Sequence, residues 1–263
     1  MTATATPTVI RPVVTGLGVV APSGNDVASH WSRTLRGDGA LRRITRFDSS
    51  QYPLRVAGEI TGFAVDTMVP SRLVRETDAM THYAFVAAEE ALADSGLNLS
   101  LSSDLELATI TANSSGGVEF GQRELQKLYA EGPHAVGAYM SIAWFYAATT
   151  GQLSIRHGLR GPCGVMVTEQ AGGLDCLGQA RRVLGKGVKA VLAGGTDASL
   201  SPYGLVCQLA NGLLATGGDP TTAYLPFDAR GHGYVPGEGG AMFTIEDLAV
   251  ARSRGAPKVY AEL

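Results

Sequence analysis

The chain has 263 residues, of which 45% are hydrophobic and 17% are charged, and its formal net charge is −3. This composition supplies enough apolar side chains for a sizeable core. The charge is weakly acidic and contains no basic runs, which argues against a nucleic-acid partner. No apolar run reaches the roughly 18 residues of a membrane-spanning helix, so we also expect no membrane association.

The N-terminal residues and the cysteines both favour an intracellular protein. Residues 1–12 lack the charged start and apolar core of a secretory signal. Cys163, Cys176 and Cys207 are an odd number at wide spacings, which supports neither a disulfide framework nor a zinc site. We interpret all three as buried small apolar residues. We therefore expect a reduced, cytoplasmic setting, with no metal and no bound cofactor.

Apolar β-rich runs alternate with helical segments along the chain. Strands are predicted at residues 12–20, 54–59 (an edge strand), 105–112, 163–168, 190–193, 240–245 and from 258 onward. Helices are predicted at residues 27–35, 78–95, 118–129, 141–152 and 171–184. The alternation predicts an α/β fold whose central sheet is largely parallel.

For two of the predicted helices the sequence also predicts the ends or the burial. The helix at 78–95 has Thr77 or Asp78 as its cap and Gly96 as its end. The segment 141–152 is apolar and rich in small residues, so we predict a single buried helix there.

The chain passes from a predicted strand into a predicted helix at residues 168–173, TEQAGG. Such a junction presents one side chain at the helix N-terminus, where free backbone N–H groups favour negative charge. An acyl-transfer enzyme would place Ser or Cys there, because the dipole lowers the pKa of a thiol and the amides stabilise an oxyanion. This chain has Gln170, whose amide cannot form an acyl-enzyme but can donate and accept hydrogen bonds. The alternative is an ordinary residue of the first helical turn.

Other clusters favour structural roles. Gly16 and Gly18 match a dinucleotide-binding fingerprint loosely, and we prefer a tight turn at the end of a core strand. Asp228, Arg230 and Glu238 lie in a glycine-rich stretch and are interpreted as a buried charge network with a structural role. No histidine shows a paired or metal-binding spacing.

Several motifs together resemble the β-ketoacyl synthase family, in order and spacing across essentially the whole chain. They are residues 14–24 (VTGLGVVAPSG), 156–162 (RHGLRGP), 193–198 (AGGTDA), 226–228 (PFD) and 237–240 (GEGG). On this alignment the family's catalytic cysteine falls on Gln170. Residues 143–146 (AWFY), 151–158 (GQLSIRHG) and 169–175 (EQAGGLD) are similar to chain length factors, the β subunits of aromatic type II polyketide ketosynthases.

The resemblance implies a thiolase-like layered α/β fold with a mixed, mainly parallel sheet. It implies that residues 1–250 form the N-terminal half and that 251–263 begin a C-terminal half, truncated here, which in the family carries the catalytic histidines. It also implies a heterodimer with a cysteine-bearing ketosynthase α subunit. The pair would extend a poly-β-ketone on the phosphopantetheine arm of an acyl carrier protein, using malonyl units.

The resemblance also assigns a substrate tunnel. The helix that follows Gly116 and Gly117 would face the partner, and its positions 118, 121 and 125 share one face through their three- and four-residue spacing. We expect this tunnel wall to consist of Val118, Gly121, Leu125 and, from a separate segment, Ile142. None of the four is aromatic, so we expect a roomy tunnel and a longer product than an aromatic-lined homologue makes. Ordinary core or interface packing is the alternative.

Three functions follow from these observations. The first is a non-condensing β subunit that helps set polyketide chain length. The second is a malonyl-acyl carrier protein decarboxylase that supplies acetyl starter units, with Gln170 holding the thioester or the malonyl carboxylate. The third is a structural dimerisation module whose active site has decayed. We favour the first, because the motifs around Gln170 and Trp144 match the same subgroup.

Overall fold

A computed structural model describes residues 10–263 of the chain. Its strands are β1 (Pro12–Val20), β2 (Arg42–Arg43), β3 (Val56–Ala57), β4 (Leu107–Ala112), β5 (Cys163–Met166), β6 (Ala190–Asp197), β7 (Gly239–Asp247) and β8 (Ala261–Glu262). Its helices are α1 (Val27–Arg36), α2 (Val65–Met68), α3 (Ser71–Glu76), α4 (Ala79–Ser95), α5 (Val118–Glu131), α6 (Met140–Ala143), α7 (Ala148–His157), α8 (Gly172–Leu184), α9 (Pro202–Leu209) and α10 (Leu248–Ser253).

Six of the strands form one sheet in the order β5-β4-β6-β7-β1-β8. Strand β4 pairs in parallel with both β5 and β6, whereas β7 pairs antiparallel with β6 and β1, and β8 antiparallel with β1. Strands β1, β4, β5 and β6 therefore run in one direction and β7 and β8 in the other. The mixed, mainly parallel sheet expected from the sequence is confirmed. The short strands β2 and β3 form a separate antiparallel pair.

A helix covers each face of the sheet. On one face α4 is the centre of a cluster that includes Met80, Phe85 and Leu192. On the other face α8 packs through Cys176, Ala180 and Leu184 against β4 and β6. Full burial of one such aliphatic or aromatic side chain stabilises the fold by about 1.5–3 kcal/mol. The buried side chains of α4 and α8 therefore hold these helices against the two faces of the sheet.

Helix α4 approaches β1 unusually closely, and the glycines of β1 allow it. A methyl group on Gly18 would lie 1.8 Å from the carbonyl oxygen of Ala87, and one on Gly16 would lie 2.0 Å from that of Ala91. Both glycines lie inside the strand rather than in a turn after it. The tight-turn interpretation of these glycines is therefore wrong: they are required because helix and strand backbones touch.

Most predicted elements are present with shifted ends. Helix α4 begins after Asp78, whose carboxylate accepts from the Met80 N–H, and ends at Gly96 in the left-handed conformation, as predicted. The single helix predicted at 141–152 is wrong, because the chain forms α6 and α7 with an irregular turn between them. The carbonyl of Trp144 leaves the helical ladder and accepts from the N–H of Gly117 at 2.9 Å. The predicted edge strand at 54–59 is reduced to Val56–Ala57.

Candidate functional site

The candidate site lies at the carboxyl edge of the parallel strands. Strands β4, β5 and β6 end at Ala112, Met166 and Asp197, and parallel strands present these ends at the same edge of the sheet. A cavity of about 410 Å³ opens there. Its lining includes Asn113 after β4, Gln170 after β5, and Gly195 and Asp197 of β6. The topology thus brings Gln170 to the position that binding sites commonly occupy in open α/β sheets.

Gln170 itself lies in a short 3-10 turn, Glu169–Ala171, that precedes α8. The strand does not run directly into the helix as the sequence suggested, and Gln170 is an exposed side chain before the first helical residue. No side chain caps α8, and the N–H of Gly172, its first residue, donates to the Glu169 carbonyl of the 3-10 turn. Asp175 in the first turn accepts from the Thr168 hydroxyl at 2.6 Å and offsets part of the positive potential of the helix end.

The sequence analysis missed Glu169. Its φ of +52° lies in the left-handed region, which is costly for a side chain other than glycine, asparagine or aspartate. Glu169 also contributes to three cavities, namely the one beside Gln170, the one along α5 described next, and a third toward Tyr234. The residue therefore stands where the cavities meet. No motif in the sequence signals this, because the conformation results from the turn that joins β5 to α8.

A second cavity, of about 540 Å³, lies along α5. Val118, Gly121 and Leu125, three of the four residues expected to form a tunnel wall, line it together. The fourth, Ile142, is 46% exposed on α6 and is not part of this lining.

The opposite wall of this cavity differs from the sequence expectation. It is formed by Met140, Trp144 and the helix α9 residues Tyr203 and Cys207. The wall is therefore partly aromatic. The expectation of a roomy tunnel rested on the absence of aromatic residues and loses its basis. Helix α9 was not predicted, although Ser201 followed by Pro202 is a recognisable helix start, with the Ser201 hydroxyl accepting from the Gly204 N–H.

The start of α5 is held by buried polar contacts. Asn113 accepts from the Gly116 N–H at 2.6 Å and donates to the Thr196 carbonyl at 2.9 Å, which ties the turn before α5 to β6. Asp78 accepts from the Phe120 N–H at 2.8 Å. Burial raises the pKa of the Asp78 carboxyl to about 6, against the lowering effect of these N–H donors.

The charge network near residue 238 differs from the prediction. Glu238 is buried and pairs with Arg46 at 2.5 Å, and it accepts from the Ile60 N–H at 3.0 Å. Burial raises the pKa of Glu238, while Arg46 opposes that shift. Asp228 and Arg230 form their own pair at 2.8 Å on the surface. The three residues thus do not form one buried network, because residues 226–233 are all exposed whereas Glu238 is buried.

Position 170 lacks a nucleophile, and neither Cys176 nor Cys163 replaces it. Cys176 is buried and donates to the Ile110 carbonyl, and burial raises the pKa of its thiol to about 12, which keeps it protonated. Cys163 and Cys207 are exposed, so the prediction of three buried cysteines is right only for Cys176. Cys163 begins β5 and thus lies at the opposite end of that strand from Gln170.

The residues that the structure describes contain neither a metal-binding cluster nor a membrane-spanning helix. Within residues 10–263, His, Cys, Asp and Glu side chains form no group of three or more that could hold a metal ion. Over the same range, no helix has the length and apolar character needed to cross a membrane.

Comparison with known proteins agrees with the fold and the motifs. Residues 11–251 match the β-ketoacyl synthase N-terminal domain family. The chain is 53% identical over 252 residues to the tetracenomycin polyketide synthase ketoacyl synthase beta subunit of Streptomyces glaucescens, covering 95% of this chain and 62% of that protein. The chain thus spans about three fifths of the length of the curated relatives that it matches.

Two solved structures are similar in fold. The ishigamide ketosynthase/chain length factor superposes with a TM-score of 0.85 at 24% identity, covering 97% of this chain and 62% of that one. A type II polyketide synthase acyl carrier protein in complex with its ketosynthase, bound to the hexaketide, gives a TM-score of 0.77 at 25% identity, covering 97% and 67%. The thiolase-like fold predicted from the motifs is confirmed. The chain belongs to the β-ketoacyl synthase family and, within it, is similar to the β subunits of type II polyketide ketosynthases.

Proposed function

We propose that this chain is part of the non-condensing β subunit of a type II polyketide ketosynthase, and that it helps to set the length of the poly-β-ketone. Its partner would be a cysteine-bearing ketosynthase α subunit, and the growing chain would arrive on the phosphopantetheine arm of an acyl carrier protein. The observation that carries the proposal is the 540 Å³ cavity along α5, which Val118, Gly121 and Leu125 line together. The identity of 53% to a beta subunit supports it.

The chemistry at position 170 supports a division of labour with the partner. Condensation requires a nucleophile that accepts the acyl chain as a thioester. The Gln170 amide cannot do this, and the Cys176 thiol is buried and protonated. We therefore assign carbon–carbon bond formation to the partner's cysteine and propose that this chain acts through the shape of the α5 cavity.

The cavity wall would act by steric exclusion. Each malonyl unit adds two carbons, so the chain grows until the next unit no longer fits without displacing packed side chains, which typically costs 1–3 kcal/mol. If the activation free energies of two successive extension steps differ by about 1.4 kcal/mol, the rates of those steps differ tenfold. A wall of defined depth is thus enough to select one principal length.

Gly121 is the position where the wall can be altered most directly. A methyl group there would lie 3.7 Å from the Trp144 Cβ and 3.8 Å from the Met140 Cε, which is ordinary contact. A larger side chain at 121 must extend into the cavity, between α5 and the turn that carries Trp144. Glycine at this position leaves space that the aromatic residues of the opposite wall do not fill.

The test is product analysis with the partner and the acyl carrier protein present. In Gly121→Phe, and more weakly in Leu125→Phe, the principal product should lose at least one two-carbon unit. Gly151→Phe is the matched control, because Gly151 lies on α7, outside the cavity, with no atom within 4 Å of an added methyl group. Unchanged chain length in both cavity variants would refute the proposal.

A second candidate function is decarboxylation of malonyl-acyl carrier protein to supply acetyl starters. It is favoured by the exposure of Gln170 at a cavity beside the start of α8, which no side chain caps, because the Gln170 amide could donate a hydrogen bond to an enolate oxygen there. Malonyl-acyl carrier protein is incubated with the protein alone and with its partner. Decarboxylation by the protein alone that disappears in Gln170→Ala would support this function. No effect of Gln170→Ala or of Gly121→Phe would leave the structural dimerisation module.

A further inference from the structure

Asp78 links two helices that begin side by side. Its side chain is fully buried, with one carboxylate oxygen accepting from the Met80 N–H at 3.1 Å and the other from the Phe120 N–H at 2.8 Å. Met80 belongs to the first turn of α4 and Phe120 to the first turn of α5. One carboxylate therefore satisfies a free N–H of each helix and lies at the positive end of both dipoles.

The start of α5 is packed so closely that it has little freedom to move. A methyl group on Gly117 would lie 2.0 Å from the Ala143 carbonyl oxygen and 2.9 Å from the Asp78 Cβ. The Gly117 N–H donates to the Trp144 carbonyl at 2.9 Å. The order of contacts is thus Asp78, the start of α5, and then the turn at Trp144.

These contacts join both walls of the α5 cavity to one carboxylate. Val118 and Gly121 flank the Phe120 N–H that donates to Asp78, and Trp144 lies on the opposite wall. The charged neighbours that act on Asp78 are Glu119 and Arg123, both on α5.

We infer that Asp78 is a positioning residue for chain length: it fixes the start of α5 against α4 and thereby sets the width of the cavity between α5 and Trp144. This inference rests on the proposed function of that cavity. Asp78 touches neither the cavity nor its contents, so its effect is on the spread of product lengths rather than on the rate of condensation.

Asp78→Ser separates the two contacts. A serine hydroxyl can still cap α4, because Ser is a favoured N-cap residue, but it is shorter and no longer reaches the Phe120 N–H. Asp26→Ser is the matched control, since Asp26 caps only α1 by accepting from the Ser29 N–H at 2.7 Å. Asp78→Asn is the second variant should the serine variant fail to fold, because its amide keeps the shape but presents an acceptor to only one of the two N–H groups.

The experiment uses the subunit in complex with its ketosynthase partner and combines hydrogen exchange with product analysis. In the Asp78 variants the Phe120 amide should exchange at least tenfold faster than in wild type, and lengths adjacent to the main product should rise at least threefold relative to it. Asp26→Ser should change neither. Unchanged exchange at Phe120, or faster exchange with an unchanged product distribution, would overturn the inference.

Gly121→Phe, measured in parallel, distinguishes failure of the positioning role of Asp78 from failure of the proposed function. If Gly121→Phe shortens the product while the Asp78 variants leave the distribution unchanged, the positioning role fails and the proposed function stands. If Gly121→Phe also has no effect, the proposed function fails, and the inference about Asp78 fails with it.

Discussion

The two sides of the candidate site are held very differently. Gln170 is exposed, lies in a short turn after a residue with positive φ, and precedes a helix without a side-chain cap. The start of α5 is instead held by Asp78, Asn113 and the close contacts of Gly117. The buried polar contacts thus hold the wall of the α5 cavity and not the turn at Gln170. We conclude that the fold holds the shape of the α5 cavity more firmly than the turn that carries Gln170.

Matched glycine substitutions should show the largest difference between the two sides. Gly117→Ala places a methyl group 2.0 Å from a backbone oxygen, whereas Gly173→Ala meets no atom within 4 Å. We expect Gly117→Ala to lower the free energy of unfolding by about 3 kcal/mol. Gly173→Ala should leave it unchanged or raise it by up to about 1 kcal/mol, because alanine favours a helix. Denaturant unfolding measures both, and equal effects would contradict the comparison.

A pH-dependent effect of similar or smaller size is expected at Asp78. Burial raises the pKa of its carboxyl from 3.8 in the reference state to about 6 in the fold, so the folded protein binds the proton more tightly than the unfolded chain. Stability from this group is therefore greatest below pH 4 and falls as the pH rises to about 6. The free energy of unfolding of wild type minus that of Asp78→Asn should fall by up to about 3 kcal/mol over this window.

Measurement of the two proteins at pH 4, 5, 6 and 7 tests this directly. His82, whose pKa burial lowers to about 4, titrates in the same window but is common to both proteins and cancels in the difference. A difference that rises with pH, or one that is flat from pH 4 to 6, would contradict the assigned pKa of Asp78.

The smallest stability effect is expected at Gln170. Because its side chain is exposed, Gln170→Ala should change the free energy of unfolding by less than about 0.5 kcal/mol. Chain length should also be unchanged, since Gln170 does not line the α5 cavity. A loss of more than about 1 kcal/mol, measured by denaturant unfolding, would mean that the turn is as firmly held as the wall.

The sequence was most informative where the signal is local. A cap at Thr77 or Asp78, a helix end at Gly96 and the strand at 12–20 follow from residue preferences within a few positions, and the structure has Asp78 as the cap. The shared face of Val118, Gly121 and Leu125 follows from helical spacing alone.

What the sequence analysis missed depends on contacts between distant segments. The helix at 141–152 breaks because the Trp144 carbonyl accepts from Gly117, which lies 27 residues earlier. The aromatic wall that Trp144 forms could not be predicted for the same reason. Glu169 takes its conformation from the turn that joins β5 to α8. Asp78 was one of the two residues predicted to cap α4, but its second contact, with α5, required the tertiary structure.

The central claim, that the α5 cavity limits chain length, is tested most directly by a volume series at position 121. Gly121→Ala, Gly121→Leu and Gly121→Phe, each assembled with the ketosynthase partner and acyl carrier protein, add increasing volume between α5 and Trp144. The mean number of extender units in the product should decrease stepwise along the series, with the Ala variant close to wild type because its methyl group makes ordinary contacts at 3.7 Å. A product of the same length from all four proteins, at undiminished yield, would contradict the account.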